Sequence, residues 1–203
     1  MKKLFFLPIL SVALSAAPLT VFNTGVGPTN VVLAAGATDS HYVGVTPAST
    51  AFVLGLTATL PGTWIPNNSV SEWVGPDQAD GTGIYSRIYR TTVDLTGFNF
   101  STGVLISGRW ATDNTGTDIR VNTTSTSQTS STFTAFTNFT LNSGFVAGIN
   151  NIDFLWSNSG GPGGLRVEFT SAQATPLGGA IPEPGTIALM LGGIAALGFF
   201  RRK

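Results

Sequence analysis

Several residue types in this chain could do chemistry if the fold brought them together. Glu72, Asp77 and Asp80 lie in the stretch Ser69–Gly83, beside Trp73. Two carboxylates held roughly 5 or 7–9 Å apart hydrolyse a glycosidic bond. Spaced carboxylates in a polar loop also simply solvate a long turn, and the spacing alone favours that reading. Asp39 and His41 stand two apart, on one face of any strand, where an acid–base pair would sit. A nucleophilic centre would also need a placed nucleophile and an oxyanion hole. No Gly-x-Ser-x-Gly turn occurs, so His41 reads as a structural hydrogen-bonding residue. Trp64 and Trp73 flank the polar segment Pro66–Ser71. Exposed indoles stack on the apolar faces of sugar rings, and Asn67 or Asn68 would bond hydroxyls there. Trp64, Asn67 and Trp73 are therefore the candidate glycan contacts, although strand patterning favours the core for both indoles.

Composition removes other chemistries. The chain of 203 residues has no cysteine and one histidine. That excludes disulfides, thiolate-ligated metals, thiol nucleophiles and multi-histidine metal centres. Asp113, Asn114, Gly116 and Asp118 do not follow the spacing of a calcium loop, and no glutamate closes the series. They read as an Asx-type turn between two strands. We therefore identify no catalytic residue, no metal ligand and no cofactor. Between the two ends lie five arginines against nine acids, a net charge of −4 with no lysine. Nucleic acid is excluded as a partner, because binding it requires a basic face.

Other patterns carry less. The segment Asn122–Leu141 is rich in Thr and Ser, with Phe133, Phe136 and Phe139 every third residue. A flat threonine array would suit ice or glycan, yet Thr ordinarily fills the wet face of strands, and Phe136 implies a bulge. Asn67-Asn68-Ser69, Asn122-Thr123-Thr124 and Asn138-Phe139-Thr140 fit the N-glycosylation pattern, which chance supplies in so Asn- and Thr-rich a chain. Ser159–Gly164 lacks the Lys and following helix of a phosphate loop and reads as a flexible hairpin connection.

The elements that position these residues are strands. Between about Val21 and Thr175 no helical period appears, and short alternating runs are separated by Gly, Pro, Asn, Asp and Ser. The pattern predicts strands at Ser40–Val45, Ala51–Thr59, Tyr85–Leu95, Gly103–Trp110, Asp118–Asn122, Phe133–Leu141, Ile149–Ser157 and Leu165–Thr170. Leu165, Val167 and Phe169 alternate with Arg166 and Glu168, and Ile152, Phe154 and Trp156 with Asp153 and Ser157. The fold class expected is all-β, an antiparallel sandwich or jelly roll with one buried and one wet face per sheet. Trp110 and Trp156 should fill its core. The domain spans residues 18–175, and 176–180 form a linker.

Both ends are apolar segments with cationic outer flanks. Lys2 and Lys3 precede the apolar stretch Leu4–Leu14, and small residues follow. Residues 1–17 read as a secretory signal peptide, cleaved after Ser15 or Ala16. At the other end Pro182-Glu183-Pro184 precedes an uncharged run over 187–200, closed by Arg201, Arg202 and Lys203. Fourteen helical residues reach roughly 21 Å, a marginal membrane span held by its basic cluster at the cytoplasmic headgroups. Ala188, Gly192 and Ala196 form a small-residue stripe that suits close approach of another membrane helix. The two prolines keep Glu183 extended and open to a protease. With both ends held inside, the intervening chain is translocated.

The order Pro182-Glu183-Pro184, apolar helix, Arg201-Arg202-Lys203 resembles the PEP-CTERM sorting signal. The resemblance implies a bacterium with an outer membrane and an exopolysaccharide system. It implies passage through the general secretion machinery, then recognition and tail removal by an exosortase-type membrane protease. The cell surface or extracellular matrix is the implied destination. Phe22–Gly25, Asp39–Tyr42, Trp64–Asn67, Tyr89–Leu95, Trp110–Ile119 and Gly161–Glu168 together resemble a galactose-binding-like jelly roll. In related sugar-binding modules an Asn-Gly turn stands where this chain has Asn122-Thr123. The expected function is an exported, non-catalytic jelly-roll protein that contacts exopolysaccharide. A secreted glycan-active hydrolase using the loop carboxylates is the alternative, with a Thr-rich ice-binding surface behind it.

Overall fold

The computed structural model describes residues 15–55 and 62–178. Within them the chain forms eleven strands and no helix. In chain order these are β1 (Ala17–Pro18), β2 (Thr38–Thr46), β3 (Ala48–Val53), β4 (Val74–Gly75), β5 (Ile84–Asp94), β6 (Leu105–Asp113), β7 (Thr115–Val121), β8 (Thr124–Ser125), β9 (Thr137–Leu141), β10 (Ile149–Ser159) and β11 (Gly164–Ala174). Neighbours run antiparallel in the order β8-β7-β10-β5-β2-β3-β4-β11-β6-β9, with β1 added beside β11. The path curls over through the short β3–β4 contact, so β7-β10-β5-β2 forms one layer and β11-β6-β9 the other. The all-β antiparallel fold expected from the alternation is the fold observed.

Period-two patterning fixes the register, because a slip by one residue would turn every apolar side chain outward. On β10, Asn150, Ile152, Phe154, Trp156 and Asn158 point inward, and on β5 Tyr89, Thr91 and Val93 do so. Phe154 gathers the layers: its ring lies 5.7 Å from Trp110 of β6, 5.8 Å from Phe139 of β9 and 6.5 Å from Phe169 of β11. Trp110 and Trp156 are core residues, as expected. Gly108 and Gly116 lack side chains where Phe139 and Trp110 press against the sheet. Asn122 and Thr123 do form a two-residue turn, since Val121 pairs with Thr124. Asn122 takes the positive φ of 56°, and its Nδ2 donates to the Gly144 carbonyl and to Asn150 Oδ1 at 2.8 and 3.0 Å.

Three sequence expectations change. β9 begins at Thr137, so Phe133 and Phe136 belong to a covering loop and no bulge is needed at Phe136. β3 ends at Val53, and the remainder of the expected strand Ala51–Thr59 reaches residues 56–61, outside those described. The outer face of β6 and β11 is not wet. Residues 62–73 and 133–136 lie over it and make a second small core of Leu54, Trp64, Trp73 and Ala111, with Phe133 and Phe136 packed at its margin. Of the expected signal peptide 1–17, residues 1–14 lie outside the described residues and Ala17 already belongs to β1, and the whole expected sorting signal 181–203 lies outside them.

Candidate functional site

The covered face of β6 and β11 holds the densest polar cluster. Ala111 pairs with Arg166 and Arg109 with Glu168 across the two strands, so all four side chains share the outer side. Arg166 is 0% exposed and Glu168 3%. Burying a guanidinium is costly unless its donors are satisfied. Arg166 Nε donates to Ser71 Oγ at 2.7 Å, Nη1 to the Ile65 and Pro66 carbonyls at 3.2 and 2.5 Å, and Nη2 to Glu168 Oε1 at 3.1 Å. Glu168 also accepts from Ser71 Oγ at 2.7 Å and from Arg109 Nε at 2.7 Å. These donors hold its carboxyl below the usual range against the upward push of burial. The Phe136 ring covers both cations, 4.5 Å from Arg109 and 5.1 Å from Arg166. Arg166 Nε and Nη1 pin the loop at Ser71, Ile65 and Pro66, while Arg109 and Arg166 Nη2 hold Glu168, so the cluster is a structural clasp. Alternation alone assigned Arg166 and Glu168 to solvent, and no local signal in the sequence marks the covering loop.

The candidate glycan contacts belong to that same cover. Trp73 is 0% exposed and Trp64 4%, their rings 4.5 Å apart. Trp73 Nε1 donates to the Ile65 carbonyl at 2.9 Å, and Asn67 Oδ1 accepts from the Trp73 amide at 3.0 Å. The indoles therefore offer no free ring face for a sugar, because shielding the clasp consumes them. Asn67 Oδ1 is used in closing its own loop, and its buried Nδ2 has no hydrogen-bond partner.

Two of the three loop carboxylates, Asp77 and Asp80, are committed to local turns, while Glu72 Oε2 is buried without a hydrogen-bond partner. Asp77 Oδ1 accepts from the Ala79 and Gly81 amides at 2.8 and 3.1 Å, and Asp80 Oδ1 from Thr82 N at 3.0 Å. Glu72 faces inward, and burial raises its carboxyl above the usual range while Arg166 opposes the rise. Asp39 is buried and caps backbone, accepting from Gly25 N at 2.7 Å and His41 N at 2.9 Å. His41 stacks flat on Phe22, ring centroids 3.6 Å apart. Asn114 Oδ1 accepts from the Ser159 amide and hydroxyl at 2.7 and 2.6 Å, so it ties the β6–β7 connection to the end of β10 rather than making the Asx-type turn expected there. Asp113 sits beneath that turn with one carboxyl oxygen unpartnered, and burial pushes it up to about 6. Among the described residues no three His, Asp or Glu side chains gather as a metal cage.

The other layer leaves its outer face open. Asp153 of β10 lies directly opposite Arg90 of β5 and Arg120 of β7. Arg90 holds it bidentately, Nε to Oδ1 at 2.6 Å and Nη2 to Oδ2 at 2.8 Å, while Arg120 Nε bonds Asp118 at 3.1 Å. The next row is Leu155 opposite Ile88, which in turn pairs with Thr46, and then Ser157 opposite Ser86. Together with Thr117 these residues line a groove of about 240 Å³. Its lining combines the hydroxyl side chains of Thr46, Ser86, Thr117 and Ser157 with Ile88, Leu155, Trp156 and Arg87, and ion pairs lie beside it. That combination suits a polyhydroxylated ligand, and no signal in the sequence distinguished this face from the covered one.

No curated protein matches the chain. A solved structure titled "Structure of CBM35 from Paenibacillus barcinonensis" aligns with 17% identity over 67% of this chain and 99% of that one, at a TM-score of 0.37. Residues 180–203 match the model of the PEP-CTERM protein-sorting motif, and the chain thus carries a signal for export and sorting directly behind its β-domain.

Proposed function

We propose that this is an exported, non-catalytic protein of the cell surface or extracellular matrix, which contacts exopolysaccharide through the open face of β10 and β5. Residues 1–17 bring it to the general secretion machinery, and the helix over 187–200 anchors it for a time in the inner membrane. An exosortase-type membrane protease then recognises Pro182, Glu183 and Pro184 and removes the tail. The carrying observation is the sorting-motif match over residues 180–203, which begins two residues after the described β-domain ends at Gly178. The domain then spans 18–175 and the linker 176–180, the first residues of which, Pro176 and Leu177, pair with Phe98 and Gly97. The non-catalytic reading draws support from Asp77, Asp80 and Asp39, whose carboxylates are engaged in capping backbone. The glycan reading draws support from the groove lined by the hydroxyl side chains of Thr46, Ser86, Thr117 and Ser157.

Two measurements test this. Mass spectrometry of the native exported form should show a C-terminus upstream of Ile187, and the Glu183→Gln chain should keep its tail. An exported form that retains Lys203 refutes the sorting mechanism. On immobilised exopolysaccharide the native protein should be retained, and the Ser86→Glu, Ser157→Glu double variant should lose at least about tenfold in affinity, or about 1.4 kcal/mol. Equal retention of both proteins, or of neither, removes the groove from the proposal.

A further inference from the structure

The tail and the N-terminal segment leave the sandwich at the same end. Ala17 pairs with Ala174 and Pro18 with Gln173, while Leu177 N donates to the Gly97 carbonyl at 2.7 Å and Asn99 N to Thr175 O at 2.7 Å. That end is built from the connections 96–104, 122–124 and 142–148, together with 175–178. None of the four segments contains Asp, Glu, Lys or Arg, and the one charge at this end is Asp94, exposed at the end of β5 directly opposite Ile149. The opposite end carries Asp77, Asp80 and Asp113.

Large apolar side chains are also unevenly placed. Of nine that stand exposed among the described residues, five are at the tail end: Phe100, Leu105, Val146, Ile149 and Leu177. Ile149 is 68% exposed and Leu177 64%. Water-facing loops of a sandwich are ordinarily polar, and grouped apolar exposure marks a contact surface. From Gly178 to Ile187, where the apolar run begins, the chain has nine steps, at most roughly 30 Å when fully extended. The β-domain thus cannot move far from whatever holds the tail.

We propose that, until its tail is cut, the sandwich stands end-on against the lipid bilayer, with Phe100, Val146 and Leu177 seated in the headgroup–acyl boundary and the Ile149–Asp94 pair at headgroup level. The proposal rests on the reading that residues 187–200 sit in the membrane. An apolar end whose single carboxylate, Asp94, stays among the hydrated headgroups suits the bilayer boundary, where burying a charge would be costly. The long axis of β5 and β10 then points away from the membrane, which presents their open face sideways and leaves the Ile84 end outermost. Tail removal cuts the tether, and these few apolar contacts no longer hold the domain by themselves.

Because the chain has no cysteine, single-cysteine variants report position directly. The full chain is reconstituted into phosphatidylcholine vesicles that carry a lipid-borne quencher, with an environment-sensitive fluorophore at Val146→Cys, Phe100→Cys, Ile84→Cys or Ala195→Cys. Strong quenching is expected at position 195, clear quenching at 146 and 100, and none above background at 84. Adding Val146→Ser and Leu177→Ser, both at exposed positions, should release the label at 100. Quenching at 195 without quenching at 146 and 100 overturns the end-on contact but leaves the membrane-seated tail intact. Absence of quenching at 195 overturns both. Equal quenching at 84 and 146 overturns the orientation. Protection at 146 that appears only when membrane proteins are added makes the occupant a protein and overturns the bilayer.

Discussion

Ala17 and Ala174 lie directly opposite one another as antiparallel partners, so the chain entering the domain is stitched to its last strand. Leu19 extends the seam by donating its amide to the Ala172 carbonyl at 2.9 Å. A signal peptidase cut after Ser15 or Ala16 leaves this seam whole, whereas a cut after Pro18 removes β1. The exported protein should therefore begin at Ala16 or Ala17, as N-terminal sequencing would show. A chain starting at Thr20 should lose about 1–2 kcal/mol of stability, for a few backbone hydrogen bonds, in urea unfolding.

Arg166 supports the loop that covers β6 and β11. Arg166→Ala would leave Ser71, two loop carbonyls and Glu168 short of partners in a buried setting. A loss of about 3–5 kcal/mol is expected, read as a lower urea midpoint. Trp73 fluorescence should shift to the red with it, because the loop that shields the indole is released. An unshifted spectrum would show that Phe136 and Trp64 hold the cover without the cation.

Gly116 passes beneath Trp110, and a Cβ there would collide with three atoms of that ring. Trp110 is fully buried and has no room to retreat. Gly116→Ala should cost about 1–3 kcal/mol by overpacking. Gly97, around which nothing lies within 4 Å, has a positive φ of 83°, so its substitution should cost only the local backbone strain. Thermal melts of the two variants distinguish the mechanisms.

Asp113 gives the fold a pH dependence of known sign. Burial pushes its carboxyl up to about 6 from an ordinary 3.8, so between those values the folded state binds more protons than the unfolded one. Its contribution to stability falls as pH rises from about 4 to about 6 and is flat above that. Asp113→Asn should melt about 2–4 °C higher than the native protein at pH 7.5, for about 1 kcal/mol, and the gap should close by pH 4. A constant gap across that range would place the effect elsewhere.

Much of the strand pattern was legible because one face of each strand is apolar. Ile152, Phe154 and Trp156 announce β10, and Tyr89 and Val93 announce β5, by period two alone. Phe133 and Phe136 misled for the same reason: spacing compatible with a strand carries no mark of whether the residues pair with a neighbour. The candidate glycan residues failed differently. Trp64 and Trp73 bracket a polar segment whether that segment faces water or folds down over Arg166, and only the register of β6 against β11 shows which.

By itself the sequence determined the presence of the sorting motif and the fold class. Charge flanks, apolar length and the Pro-Glu-Pro step act through local chain chemistry, and alternation reports the buried side of each strand. The tertiary structure decided which outer face stays open. Arg166 of β11 and Arg90 of β5 stand in equivalent alternating positions, yet one is sealed beneath residues 65–73 and the other borders a groove. That difference arises from a loop about a hundred residues away in the chain, which no local pattern can encode, because solvation of a side chain depends on everything that packs above it.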